Sequence, residues 1–192
     1  MFIAAVALSV AVALLRGGRP ERLASFPFRH LWLVFLAFGV QLVMHLPVFT
    51  RIEFVRQTGP YLYPSAYCLL LICFALNWRS PGVVWLAGGT LSNLAVIVAN
   101  GGKMPVDGVA LTAMGCQTFR DAFATGGSLT NTIIDSTTRL PWLGDVLVGS
   151  PPFHKPTLFS AGDILLAIGV FILVQGTMVV GRAGKVESAG FR

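Results

Sequence analysis

Apolar residues fall in long blocks along this chain, without the short alternation of half-buried strands. A helix that crosses a bilayer core needs about 20 mostly apolar residues, with about 17 as the lower end. Five blocks come near or reach that length, at 1–15, 31–49, 61–76, 82–100 and 162–180. The pattern predicts an all-α integral membrane bundle of about five transmembrane helices, forming a single membrane domain over 1–192. A polar stretch of about 60 residues, 101–160, separates the fourth and fifth blocks and is expected as one extracytoplasmic loop.

The block ends refine this reading. The first block stops at Arg16-Gly17-Gly18-Arg19-Pro20, with its charge after the apolar core. A secretory signal places charge before the core, so this segment is expected to stay as a short helix. Gln41, His45 and Pro47 interrupt the second block. Tyr61 and Tyr63 open the third and Asn77-Trp78-Arg79 closes it, which matches aromatic belts at the two interfaces. Pro81 suits the first turn of the fourth helix. In the loop, Asp107 can cap a short helix carrying Val109 and Ala110, while 125–138 reads as irregular. Ser160 and Asp163 have the spacing of a capping box and mark the start of the fifth helix.

Charge changes the picture in two ways. Only 11% of residues are charged, against about 25% in a typical soluble domain, so water is not the main solvent. The net charge of +6 is unevenly placed. With five crossings, one side collects Arg16, Arg19, Arg22, Arg29, Arg79, Arg182, Lys185 and Arg192 against two acidic residues, while the other holds six basic and six acidic residues. Short basic connectors stay in the cytoplasm, which predicts a bacterial inner-membrane protein with its N-terminus outside and its C-terminus inside. The basic residues form no run interleaved with aromatics, so nucleic acid is not an expected partner. Cys68, Cys73 and Cys116 have neither disulfide-framework nor metal-ligand spacing.

Small residues supply candidate packing seams, since close backbone approach drives helix association in lipid. Gly162, Gly169 and Gly176 recur every seven residues on the fifth helix, and Gly88 and Ser92 lie one turn apart on the fourth. Polar residues inside the blocks are fewer. Gln41 and His45 share a face of the second helix, and Asn93 and Asn100 a face of the fourth. Together with Lys103, Asp107 and Asp145 of the loop they are candidate ligand-binding residues around an outward-facing polar pocket, or else hydrogen bonds between helices. A haem or pigment on His45 is not expected, because His30 lies at the opposite face and His154 in the loop, leaving no second ligand at its depth. No cofactor or metal is expected, although a lipid or quinone would suit the pocket. The motifs of serine hydrolases, zinc proteases and phosphate-binding loops are absent.

The segments bordering the loop are the most specific: Asn100-Gly101-Gly102-Lys103-Met104-Pro105, Leu140-Pro141-Trp142-Leu143-Gly144-Asp145 and Ser160-Ala161-Gly162-Asp163. Through the patterns Asn-Gly-Gly-basic-Met-Pro and Leu-Pro-x-Leu-Gly-Asp the chain resembles a family of small bacterial multi-pass membrane proteins of unknown function, from the Arg16-to-Arg19 turn to the last helix. The resemblance implies the multi-pass architecture and carries over no activity. Lys103 stands where arginine would serve as readily, and a lysine there cannot make a bidentate anion contact.

Three functional readings follow. The leading expectation is a non-catalytic accessory or structural subunit of a larger membrane assembly, with membrane lipid and other membrane proteins as partners. The alternative is a binder or carrier of an apolar ligand, a lipid or quinone. An enzyme working at the outer surface, with Asp145 or His154 as general base, is the third and least supported.

Overall fold

The computed structural model describes residues 2–24, 28–125, 127–149 and 157–180. The chain is mostly helical. In order it forms α1 (Phe2–Leu15), α2 (Glu21–Ala24), α3 (Trp32–His45), α4 (Pro47–Thr50), α5 (Glu53–Leu76), α6 (Val83–Ala99), β1 (Met104–Val106), α7 (Gly108–Ala113), α8 (Gln117–Ala124), β2 (Asn131–Ile133), a 3-10 turn Pro141–Leu143, β3 (Leu147–Gly149), β4 (Thr157–Phe159) and α9 (Ala161–Gln175), which runs on into a π turn Gly176–Val180. The expected first-side charges Arg182, Lys185, Glu187 and Arg192, and the loop residue His154, lie outside the described residues.

Two helical stretches, Glu53–Leu76 and Ala161–Val179, are long and apolar enough to cross a membrane, and Ala4–Leu15, Trp32–His45 and Val83–Ala99 are shorter apolar helices. The five apolar helices pack as a row in which α3 meets α5, α5 meets α6, α6 meets α9 and α9 meets α1. The α6–α9 pair is the tightest. A Cβ built on Gly89 would collide with the carbonyl of Gly162, and one on Gly169 would lie 2.8 Å from the backbone nitrogen of Leu86. Gly82, left-handed at φ 77°, caps α6 against the backbone of Gly169, and Gly176 lies against the Pro81 ring. The predicted seam of Gly162, Gly169 and Gly176 is therefore used inside the chain. Gly88 is different: it is exposed, with only Leu165 at 4.0 Å from where its Cβ would stand, and its neighbour Gly89 packs in its place. Ser92 is half-buried.

Two asparagines close the helix ends in the same way. At the end of α5, Asn77 accepts the Arg29 N–H at 2.7 Å, donates to the Arg29 carbonyl at 2.8 Å and donates to the Cys73 carbonyl one turn back. At the end of α6, Asn100 accepts the Arg139 N–H at 2.9 Å, donates to the Arg139 carbonyl at 2.8 Å and donates to the Val96 carbonyl one turn back. Each amide donates to a last-turn carbonyl of its own helix, that of Val96 also accepting the Asn100 N–H, and fastens a remote segment to it.

Basic residues gather at one end of the row. Arg16 donates to the Gln175 side chain at 2.9 Å, Arg22 to the carbonyls of Met178 and Val179, and Arg79 stacks 5.1 Å from the Trp78 ring centre. The segment between α6 and α9 folds over the opposite end. There β1 pairs with β2 in parallel, Met104 against Asn131, and β3 pairs with β4 antiparallel, Leu147 against Phe159.

Several boundaries differ from the sequence reading. The second block is not one helix over 31–49: Leu46, which precedes Pro47, is extended at ψ 124°, and Pro47 begins a separate turn. A residue before proline is sterically pushed out of the helical region. The third helix starts at Glu53, two turns before 61, and carries Pro60 and Pro64 within it. Stretch 125–138 is not wholly irregular, since it holds β2, and α8 had no counterpart in the sequence reading. Tyr63 is buried, so of the two tyrosines expected in an interfacial belt only Tyr61 is exposed.

Candidate functional site

The three motif stretches meet at the capped end of the row. Gly101 and Gly102 both have positive φ, 66° and 82°, as a helix stop at Asn-Gly-Gly requires. A Cβ on Gly102 would stand 2.5 Å from the Pro60 Cα, which fixes the α6 exit against α5. The chain then forms β1, where the Asp145 N–H donates to the Pro105 carbonyl at 2.8 Å and the Asp107 N–H to the Asp145 carbonyl at 3.1 Å. Asp107 caps α7 by accepting from the Val109 and Ala110 N–H groups at 2.8 and 3.1 Å.

The start of α9 is locked to α6 by a ring of side chains. Ser160 and Asp163 form the expected capping box. The Ser160 hydroxyl donates to Asn93 Oδ1 at 2.9 Å, and Asn93 Nδ2 donates to Asp163 Oδ1 at 3.1 Å. Asn93 is 3% exposed, so its hydrogen bonds are met within the protein.

Below this ring lies a cavity of about 490 Å³ between α3, α5, α6 and α9. Its volume falls in the usual range of small-molecule sites, roughly 300–1,000 Å³. Its polar residues, Thr177 at the basic end apart, cluster toward the capped end: Gln41 from α3, Tyr67 from α5, Thr90 and Asn93 from α6, and Asp163 from α9. Toward the basic end the lining turns apolar, with Leu31, Phe74, Leu86 and Val174, and Leu23 and Phe28 close it. The Tyr67 hydroxyl lies 3.1 Å from that of Tyr63. Thr90 is 1% exposed, and its hydroxyl has no hydrogen-bond partner among the described residues. The Gln41 amide has no partner among the described residues.

The structure thus separates the proposed pocket residues. Gln41 and Asn93 line the cavity, whereas His45 and Asn100 do not. His45 is exposed; its Nδ1–H donates to the Gln41 carbonyl at 2.8 Å, and its ring meets the edge of Tyr63. Asn100 is committed to its clasp on Arg139. Lys103 is half-buried beside β1, and that burial lowers its pKa. Asp107 instead borders a second, open groove of about 810 Å³ in the capping segment, with Val109, Arg120 and Trp142. Asp145 does not line the cavity. Burial, reinforced by the nearby Asp163, pushes its carboxyl up to about 7. No nucleophile is hydrogen-bonded to it among the described residues.

Thr90 and Tyr67 were not anticipated as site residues, although a signal existed. Thr90 and Asn93 are three residues apart, and Tyr63 and Tyr67 four, so each pair shares a helix face.

A model for the family of unknown function DUF5317 matches residues 25–175. The chain belongs to this family. It is also similar to an uncharacterized protein of Thermotoga maritima, with 31% identity over 129 residues that cover 63% of this chain and 68% of the relative. No solved structure matches it. The family match takes in α3 through α9, and so every wall of the cavity except Leu23 and the π-turn residue Thr177.

Proposed function

We propose that this chain is a multi-pass inner-membrane protein whose five apolar helices cross the bilayer and hold an apolar ligand, a lipid or quinone, in the cavity between α3, α5, α6 and α9. The membrane part rests on what covers the helices. Only 28% of the most apolar 18-residue stretch of α5 and 39% of that of α9 is buried within the protein, which supports lipid around both helices. Large side chains such as Phe35, Val84 and Leu91 stand exposed around the row, a surface that lipid solvates and water does not. The basic end carrying Arg16, Arg22, Arg29 and Arg79 then faces the cytoplasm, and the strand-bearing segment faces outward.

The single observation that carries the ligand reading is a half-open apolar cavity whose polar end holds a buried hydroxyl, Thr90, that has no partner among the described residues. A buried polar group without a partner costs roughly 1–3 kcal/mol, and a bound molecule can return that energy. The test is to purify the protein from its membrane in mild detergent, extract what it carries and compare it with the bulk lipid by mass spectrometry. We expect one lipid class to be enriched, and the enrichment to vanish in Val170→Trp, which fills the cavity, while the variant keeps its helical circular dichroism. Extracts identical to bulk lipid for both proteins would overturn the reading.

The accessory-subunit reading keeps one supporting observation, the small, outward-facing Gly88 and Ala95 on α6. It predicts copurification with a larger assembly that Gly88→Leu breaks. A monodisperse monomer from native membranes would count against it.

A further inference from the structure

Resting on the ligand reading above, we infer that the cavity selects a neutral amphiphile whose head carries carbonyl or hydroxyl oxygens, bound between Thr90 and Gln41 with its aliphatic part directed toward the basic end.

The charge inventory excludes the common alternative. Among the described residues not one lysine, arginine or histidine lines the cavity, and the one carboxylate that does is Asp163. An anionic head, whether phosphate or carboxylate, would find no cation to pair with and would lie beside a carboxylate. In a low-dielectric site an unpaired charge is the costliest group to bury. A cationic head is not called for either. Each Asp163 oxygen already accepts a hydrogen bond, Oδ1 from the Asn93 amide at 3.1 Å and Oδ2 from the Ser160 N–H at 3.0 Å, and the N-terminus of α9 offsets part of its charge.

What remains to be satisfied is neutral. Thr90 offers a hydroxyl donor and acceptor from α6, and Gln41 an amide donor and acceptor from α3 on another wall. Asn93 and Thr177 are not available in the same way. Asn93 is bound into the ring with Ser160 and Asp163, and the Thr177 hydroxyl donates to the Leu173 carbonyl at 2.7 Å. An oxygen-bearing head would use both vacant groups at once. The polarity gradient sets its direction, since Gln41, Thr90 and Asn93 lie at the capped end while Leu23, Phe28 and Phe74 lie toward the other. Acylglycerols and isoprenoid quinones both carry this chemistry, the first with hydroxyl and ester groups, the second with two ring carbonyls.

Native mass spectrometry of the full chain in nonionic detergent at pH 8 separates the cases, with 1-monooleoylglycerol, decylubiquinone and oleate as the three probes. We expect at least one neutral probe to bind about tenfold more tightly than oleate, and the better of the two identifies the source of the head group. Thr90→Val keeps the side chain's shape and removes its hydroxyl, so it should weaken the neutral probe by about fivefold to tenfold, the worth of one hydrogen bond, while raising the melting temperature of the ligand-free protein. Gln41→Leu on the other wall should weaken the same probe comparably. Oleate binding as well as the neutral probes, or neutral binding unchanged in both variants, overturns the head-group assignment and leaves the cavity a ligand site. Failure of all three probes to bind overturns the ligand reading itself.

Discussion

Asn100 and Asn77 do the work of whole loops, each holding the backbone N–H and carbonyl of one distant residue with one planar amide. An alanine at either position loses three hydrogen bonds at once, so Asn77→Ala, whose bonds to Arg29 are part-buried, should cost roughly 2–3 kcal/mol and Asn100→Ala, whose bonds to Arg139 are exposed, about 1 kcal/mol, measured as a fall in the denaturation midpoint. Asn100→Asp should be damaging too, because a carboxylate cannot donate to the Arg139 and Val96 carbonyls. Asp145 makes a prediction of opposite flavour. Its folded-state pKa is raised to about 7, so the folded protein holds this proton more tightly than the unfolded chain does. Its contribution to stability is complete below the usual carboxyl range near pH 4 and disappears as pH rises through about 7. Thermal denaturation between pH 4 and pH 8 should show that decline, and Asp145→Asn should flatten it; an unchanged slope in the variant would place the titrating group elsewhere.

Among the helices, α6 and α9 form the rigid centre. Their contact depends on backbone meeting backbone at Gly89, Gly162 and Gly169, where a side chain has no room. Gly169→Val should separate the pair and lower the yield of folded protein, whereas Gly88→Ala, one residue from the seam, should be silent in the same measurement. The break after His45 shows how local chemistry overrides hydrophobic pattern. The apolar block continues past Leu46, yet Pro47 forbids its predecessor the helical conformation, and the chain turns there. The early start of α5 shows the reverse. Glu53, Arg56 and Gln57 broke the apolar pattern, but polar side chains leave the backbone hydrogen bonds of a helix intact, and α5 carries all three in its first turns.

For the molecule as a whole, the proposed topology puts the two ends of the chain on opposite sides. Reporter fusions should place the N-terminus outside and the C-terminus in the cytoplasm, and both in one compartment would rule out five crossings. Much of the architecture was legible in linear order. Block lengths announced the apolar helices, and Asp107, Ser160 with Asp163, and Asn-Gly-Gly marked their starts and stops, because helix length, capping and left-handed glycine are local matters settled within a few residues. The site was only partly so. Gln41 and Asn93 were named in advance, but the linear order could not show that Gln41 would be left unpaired while Asn93 was spent on Ser160 and Asp163, some 70 positions away. Nor could it show that Asn100 would clasp Arg139, that His45 would turn back onto its own helix, or that Thr90 would be buried with its hydroxyl unmet. Whether a polar group is free or consumed depends on partners brought together by packing between helices remote in the chain. That is decided only when the glycine seams set how closely those helices approach.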